Sequence, residues 1–136
     1  MAAANLAPLL IDTDVLIDFL RKQVDAKEFI TEALVNRPSV YYASVTVTEL
    51  FAGIRSGEEV AVESLLSPMV SIPLINGIAK DAGDYLRQFR SQGITLSVPD
   101  TIIAASAKSV GADLATLNTR HFPMTDVVIV RPYSKP

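Results

Sequence analysis

Apolar residues along this chain fall into two spacings, and the alternation between them predicts the fold. Leu9-Leu10-Ile11 is a short continuous run ending at Asp12, the pattern of a strand buried on both faces. Val15, Leu16, Phe19 and Leu20 then recur at helical spacing. A second helix is predicted over 25–35, with Phe29, Ile30, Ala33 and Leu34 on one side. Pro38 ends it, because the residue before proline is pushed out of the α region. The β-branched and aromatic run Val40-Tyr41-Tyr42-Ala43 predicts the second strand. Helices over 46–55 and 58–66 follow, then a short strand Val70-Ser71-Ile72 stopped by Pro73. The longest helix, 76–92, carries Ile78, Ala82, Leu86 and Phe89 on one stripe and ends at Gly93; another spans 100–110 and closes at Gly111. Leu114-Ala115-Thr116 and Val127-Val128-Ile129-Val130 complete the strands, and the tail 131–136 reads as frayed.

Strands separated by helices call for right-handed crossovers and a parallel sheet covered on both faces. The expected fold class is therefore α/β, a three-layer α/β/α sandwich with a mainly parallel central sheet. At 136 residues, with no linker, repeat or low-complexity segment, the chain reads as one domain over 1–136. Composition narrows the chemistry. There is no cysteine and one histidine, His121, which excludes disulfide scaffolds, thiol nucleophiles and the usual zinc sites. Twelve basic against 15 acidic side chains give a net charge of −3, which argues against tight non-specific binding to nucleic acid but allows a local basic patch. No apolar run reaches the roughly 18 residues of a membrane span, and the opening MAAANLAPLLIDTD lacks the basic start of a secretory signal. A soluble, cytoplasmic protein is expected.

In such a sandwich, ligands bind beyond the carboxyl ends of the strands. Four residues are predicted to stand there: Asp12 after the first strand, Glu49 early in the next helix, Asp100 at the start of a later one, and Asn118 after the fourth strand. Converging carboxylates repel and take up protons unless a cation neutralises them, and an all-oxygen donor set suits Mg²⁺ or Mn²⁺. The chemistry that follows is phosphodiester hydrolysis by a water that the ion activates. Each position also has a plainer reading. Thr46-Val47-Thr48-Glu49 fits a capping box, Asp12 and Asp100 fit helix caps, and Asn118 fits a turn. Asp12, Asp14 and Asp18 are harder to dismiss, because three acids crowd into seven positions and Asp14 and Asp18 share a helix face. Asp113 precedes the fourth strand and is read as structural, at the opposite edge.

Four segments resemble the motifs of PIN domains, especially the VapC-type toxins of toxin–antitoxin pairs, and they occur in family order. They are Leu9-Leu10-Ile11-Asp12-Thr13-Asp14-Val15-Leu16-Ile17-Asp18, Ala43-Ser44-Val45-Thr46-Val47-Thr48-Glu49-Leu50-Phe51-Ala52-Gly53, Pro99-Asp100-Thr101-Ile102-Ile103-Ala104-Ala105-Ser106-Ala107, and Ala115-Thr116-Leu117-Asn118-Thr119-Arg120-His121-Phe122. The resemblance implies a ribonuclease in which Asp12, Glu49 and Asp100 hold Mg²⁺ or Mn²⁺. The fourth position is acidic in many members and is Asn118 here, which puts a second metal in doubt. Thr116 is expected to orient Asp12 or Asn118 through its hydroxyl. The resemblance further implies an RNA substrate, a cognate VapB-like antitoxin whose basic tail enters the acidic crevice, and a homodimer.

Arg55, Arg120 and His121 follow motif segments and could meet RNA phosphates, and Arg87 and Arg90 could extend the track, although most exposed arginines are merely solvated. Substrate choice is assigned to surface loops, especially 53–70, in which no base code is legible. Four rival readings remain. Asp12-Thr13-Asp14 resembles the D-x-D of haloacid-dehalogenase-like phosphatases, but Asp81 and Asp84 lie inside a predicted helix where that family needs a late acidic pair after strands. A phospho-receiver needs an acceptor Asp where this chain has Pro73-Leu74. A non-catalytic PIN scaffold is disfavoured by the intact acids, and a housekeeping nuclease without antitoxin by the absence of an added RNA-binding domain.

Overall fold

The computed structural model describes residues 6–134. Five strands form one sheet: β1 (Leu9–Ile11), β2 (Val40–Ala43), β3 (Val70–Ile72), β4 (Asp113–Ala115) and β5 (Ile129–Val130). Their spatial order is β3-β2-β1-β4-β5, and every pairing is parallel. The α/β fold class expected from the sequence is the one observed.

Alternation along the strands sorts the core into two layers. Leu9, Ile11, Val40 and Ala115 face one side of the sheet. There they pack on α1 (Thr13–Leu20), α2 (Val24–Asn36), α3 (Ser44–Gly53) and α4 (Glu59–Leu66), through Val15, Leu16, Ile30, Leu50 and Val62. Leu10, Ala43 and Leu114 face the other side, against α5 (Asn76–Arg90) and α6 (Val98–Ser109). The near-continuous apolar strands are thus what a sheet covered on both faces requires. Along α6 the run Ile103-Ala104-Ala105-Ser106-Ala107 is wholly buried, its small side chains allowing close approach to the sheet.

Parallel pairing puts all carboxyl ends at one edge. From β1 the chain builds outward through β2 and β3, then returns to lay β4 on the other side of β1. The order therefore reverses between β1 and β4, and a crevice opens at such a switch point. Asp12 follows β1 there, with its N–H donating to the Ala115 carbonyl at 2.9 Å. At the opposite edge, Arg37 bonds the Asp113 carboxylate at 2.8 Å and the Ala7 carbonyl at 3.0 Å, so Asp113 ties α2 to β4 away from that crevice.

Element boundaries differ from the sequence reading where short-range hydrogen bonds decide them. Helix α3 starts at Ser44, directly after β2, so Thr46 lies inside it and no capping box forms at Glu49. Helix α6 starts at Val98: the Ser97 hydroxyl accepts the Asp100 N–H, and Pro99 sits in the first turn, where its missing N–H costs nothing. Asp100 is thus a first-turn residue and the cap is Ser97. Helix α5 stops at Arg90, and Gly93, at φ +79°, turns the chain so that the Ile94 N–H returns to the Phe89 carbonyl. β5 is reduced to the two residues that pair with β4. Within the tail expected to fray, Tyr133 docks against the α1 side of the core and donates to Asp18 at 2.8 Å. Residues 135–136 of that tail, and residues 1–5 of the segment read as lacking a secretory signal, lie outside the described residues. Among the described residues no helix is long and apolar enough to cross a membrane.

Leu10 lies at the sheet centre with no exposed surface, whereas Val60 is 73% exposed on α4. Leu10→Ala is expected to destabilise the fold by about 3–5 kcal/mol and Val60→Ala by less than about 0.5 kcal/mol, measured by urea unfolding.

Candidate active site at the carboxyl edge

The crevice is organised around one threonine hydroxyl. Thr116, fully buried just past β4, donates to Asp12 Oδ2 at 2.8 Å and lies 3.4 Å from Asp14 Oδ2. It also accepts the Asn118 N–H at 3.1 Å, so the chain after β4 is held to the same point. Asp12 caps α1, with Oδ1 accepting the Thr13 N–H at 2.8 Å. The capping and site placements of Asp12 therefore coincide, because the helix start is the end of the central strand.

Asp14 was noted in the sequence only as part of an acidic cluster, and the structure brings it into the site. Its Oδ2 accepts the Leu117 N–H and the Asn118 Nδ2, each at 3.0 Å. Its Oδ1 is buried and accepts no hydrogen bond. The signal for Asp14 was present in the D-x-D spacing. Its partner, the loop after β4, could be identified only once β4 was known to lie beside β1. Asp18, next along α1, is held by the Tyr133 hydroxyl.

Glu49 reaches the group from α3. Its Oε1 accepts the Thr13 hydroxyl at 2.6 Å, and the Thr13 and Thr46 hydroxyls are 3.0 Å apart. Thr13 thus links Glu49 to the residue beside Asp12, a role the sequence reading did not assign. Asp100 stands on the first turn of α6, its carboxylate near enough to act on the charge of Asp12 and 3.4 Å from His121 Nδ1. Asp12, Asp14, Glu49, Asp100 and Asn118 therefore border one region. Arg120 and His121 line a cavity of about 240 Å³ that includes Asp100. Arg55 follows the end of α3, and its N–H donates to Glu58 Oε1 at 2.6 Å. Arg87 is taken up by Asp84 at 2.9 Å. A cavity of about 770 Å³ along α2, lined by Val24, Lys27, Thr31 and Val35, holds none of the predicted site residues.

Electrostatics set the chemistry. Burial pushes the Asp12 carboxyl up to about 7, and the charges of Asp14 and then Asp100 add to the rise, against the opposing bonds from Thr116 and Thr13. Burial likewise raises Asp14, against the bonds it accepts from the β4 loop. Buried Asp12 and half-buried Asp14, the latter with one buried unpartnered oxygen, are both raised toward the neutral form, a strain that a cation would relieve. Among the described residues no group of three acidic or imidazole side chains is placed to hold a metal ion. The donors at this edge, carboxylates and an amide oxygen, are of the kind that suits a hard ion such as Mg²⁺ or Mn²⁺.

The raised Asp12 value has a consequence for stability. A carboxyl whose folded pKa lies above its unfolded value stabilises the fold below the unfolded pKa, and loses that contribution as pH rises through the folded one. In chelator-treated protein, stability is expected to fall between about pH 4 and pH 7 by a few kcal/mol. Asp12→Asn is expected to flatten that fall and to raise the urea midpoint above pH 7. An unchanged profile in the variant would assign the pH dependence to another group.

This geometry has close counterparts. The PIN domain model matches residues 9–127. Ribonuclease VapC10 of Mycobacterium tuberculosis is 37% identical over 116 residues, covering 85% of this chain and 86% of that protein. Ribonuclease VapC19 of the same organism is 36% identical over 115 residues, covering 85% and 92%. A chain of a solved toxin–antitoxin complex from Klebsiella pneumoniae superposes with a TM-score of 0.77 at 26% identity, over 93% of this chain and 99% of that one. The parallel sheet, the acids at its switch point and a family match over most of the length agree, and this chain belongs to the PIN-domain family.

Proposed function

We propose that this chain is the toxin of a type II toxin–antitoxin pair, a Mg²⁺- or Mn²⁺-dependent endoribonuclease that hydrolyses RNA phosphodiester bonds. The observation that carries the reading is the meeting of Asp12 and Asp14 at Thr116. Asp12, raised by burial and the charge of Asp14, and Asp14, raised by burial, have little structural purpose there, since a hydrophobic pair would close the same crevice at lower cost. The relatives above one third identical are named ribonucleases, which fits that chemistry.

Asp12, Glu49 and Asp100 would hold the cation, and Asn118 would support it as a neutral donor. A cation bound there would offset the charge of the acids and supply Lewis-acid activation of a phosphate oxygen and of the attacking water. Each residue's share follows from its contacts. Asp12 is fixed by the Thr13 N–H and the Thr116 hydroxyl, so one oxygen keeps a set direction. Asn118 spends its Nδ2 on Asp14, which leaves its carbonyl oxygen as the available ligand. Thr13 steers Glu49. Asp100, at the rim, is the acid nearest the cavity in which Arg120 and His121 stand. The acidic edge also complements a basic peptide, which supports an antitoxin that blocks the site by placing a cationic tail in it.

Asp12→Asn and Asp100→Asn are each expected to lower cleavage of total RNA by more than about 100-fold in Mg²⁺, while far-UV circular dichroism stays that of the parent. EDTA is expected to abolish the parent's cleavage and added Mg²⁺ to restore it. Undiminished cleavage by either variant would contradict the assignment. Induced expression is expected to arrest growth, and a short DNA-binding protein encoded beside this gene to relieve it. Cleavage without arrest would favour a housekeeping nuclease.

A further inference from the structure

Beside the acids lies a second feature with its own shape. The loop between α5 and α6 and the short 3₁₀ turn Thr119–His121 enclose the cavity of about 240 Å³, whose walls are Ile94, Thr95, Leu96, Asp100, Arg120 and His121. We propose that this cavity is a specificity pocket for one RNA base, the base of the nucleotide next to the scissile phosphate. The proposal rests on the ribonuclease reading above and adds to it the place where sequence is read.

Size is the first argument. The cavity is smaller than the roughly 300–1,000 Å³ of a site for a drug-sized ligand, and its scale is that of a single ring system. The lining is the second. Ile94 is a large aliphatic side chain left 39% exposed in a loop, and Leu96 beside it is anchored on the core, so one wall is apolar and fixed. Opposite stand a guanidinium and an imidazole, planar groups on which unpaired bases stack. Among the described residues neither the Arg120 guanidinium nor the Thr95 hydroxyl makes a hydrogen bond or ion pair, whereas Arg21, Arg37 and Arg87 are each engaged by a carboxylate. Thr95 can therefore read a base edge while Arg120 meets the phosphate or the ring face.

Preorganisation is the third argument. One wall is held by the Ile94 N–H on the Phe89 carbonyl and by Ser97 capping α6. The other is pinned by buried Phe122 behind His121 and by Arg131, which donates to Thr119 at 3.2 Å. Finally, Asp100 belongs both to the pocket and to the acids. A base seated here thus places its own phosphodiester at the reacting group without a long spacer. The reading moves substrate choice from loop 53–70, where the sequence placed it, to loop 91–97.

Cleavage of a randomised RNA by the full-length protein, with both ends of each cut mapped, tests the pocket. The parent is expected to prefer one base at a single position flanking the cut. Ile94→Ala and Thr95→Val, both at exposed positions, are expected to reduce the ratio between best and worst base at that position by roughly tenfold. Arg120→Glu is expected to slow cleavage of all sequences alike, as loss of a phosphate contact does. A parental ratio retained in both Ile94→Ala and Thr95→Val, or no preference at any flanking position, would overturn the pocket while leaving the nuclease standing. If the parent cuts no RNA, the nuclease reading falls, and NMR titration of Asp12→Asn protein with the four short homo-oligonucleotides decides the pocket separately. Base-dependent shifts at the Ile94 methyls and Thr95 support it; shifts confined elsewhere, or none, overturn it.

Discussion

Two carboxylates two residues apart, one buried and one half-buried, converge on one threonine hydroxyl, and the carboxyl edge of the sheet is built around that convergence. Asp12 and Asp14 precede and enter the first turn of α1, while Thr116 directly follows the strand beside them. For the three to meet, β1 and β4 must be neighbours in register, with Ile11 opposite Ala115. A one-residue slip would turn Thr116 to the other face of the sheet and leave both acids without their common partner. The core therefore serves the site directly. Leu10 and Leu114 on one face, and Leu9, Ile11 and Ala115 on the other, hold the register that brings the acids together.

The fold was largely legible because its signals are local. Strands buried on both faces appear as unbroken apolar runs, and β2 and β3 fall where Val40-Tyr41-Tyr42-Ala43 and Val70-Ser71-Ile72 place them. Boundaries were less legible where a cap competes with a motif. Ser97 and Asp100 are both good helix-start residues, and only the hydrogen bond from the Asp100 N–H to the Ser97 hydroxyl shows which of them caps. Thr46 and Glu49 have capping-box spacing, yet α3 begins two residues earlier, and both side chains turn instead toward Thr13 on α1.

In the site, the residues that sequence could name are those with a chemical identity of their own. The roles it could not name depend on distant partners. Asp14 acquires its role from the loop after β4, about a hundred positions away, through Leu117 and Asn118. Thr13 acquires its role from Glu49. The cavity beside Asp100 was invisible for a similar reason. Its walls come from the loop between α5 and α6, the first turn of α6 and the turn after β4, segments far apart in the chain.

The central claim is that these acids form one cation-binding site, and manganese offers the most direct test because it broadens NMR signals near its binding point. Titration of substoichiometric Mn²⁺ into the ¹⁵N-labelled protein is predicted to erase the amide signals of Asp12, Thr13, Asp14, Asp100 and Thr116 first, and excess Mg²⁺ to restore them. Broadening spread evenly over the surface, or centred on the exposed acids of α2 or α5, would contradict the account.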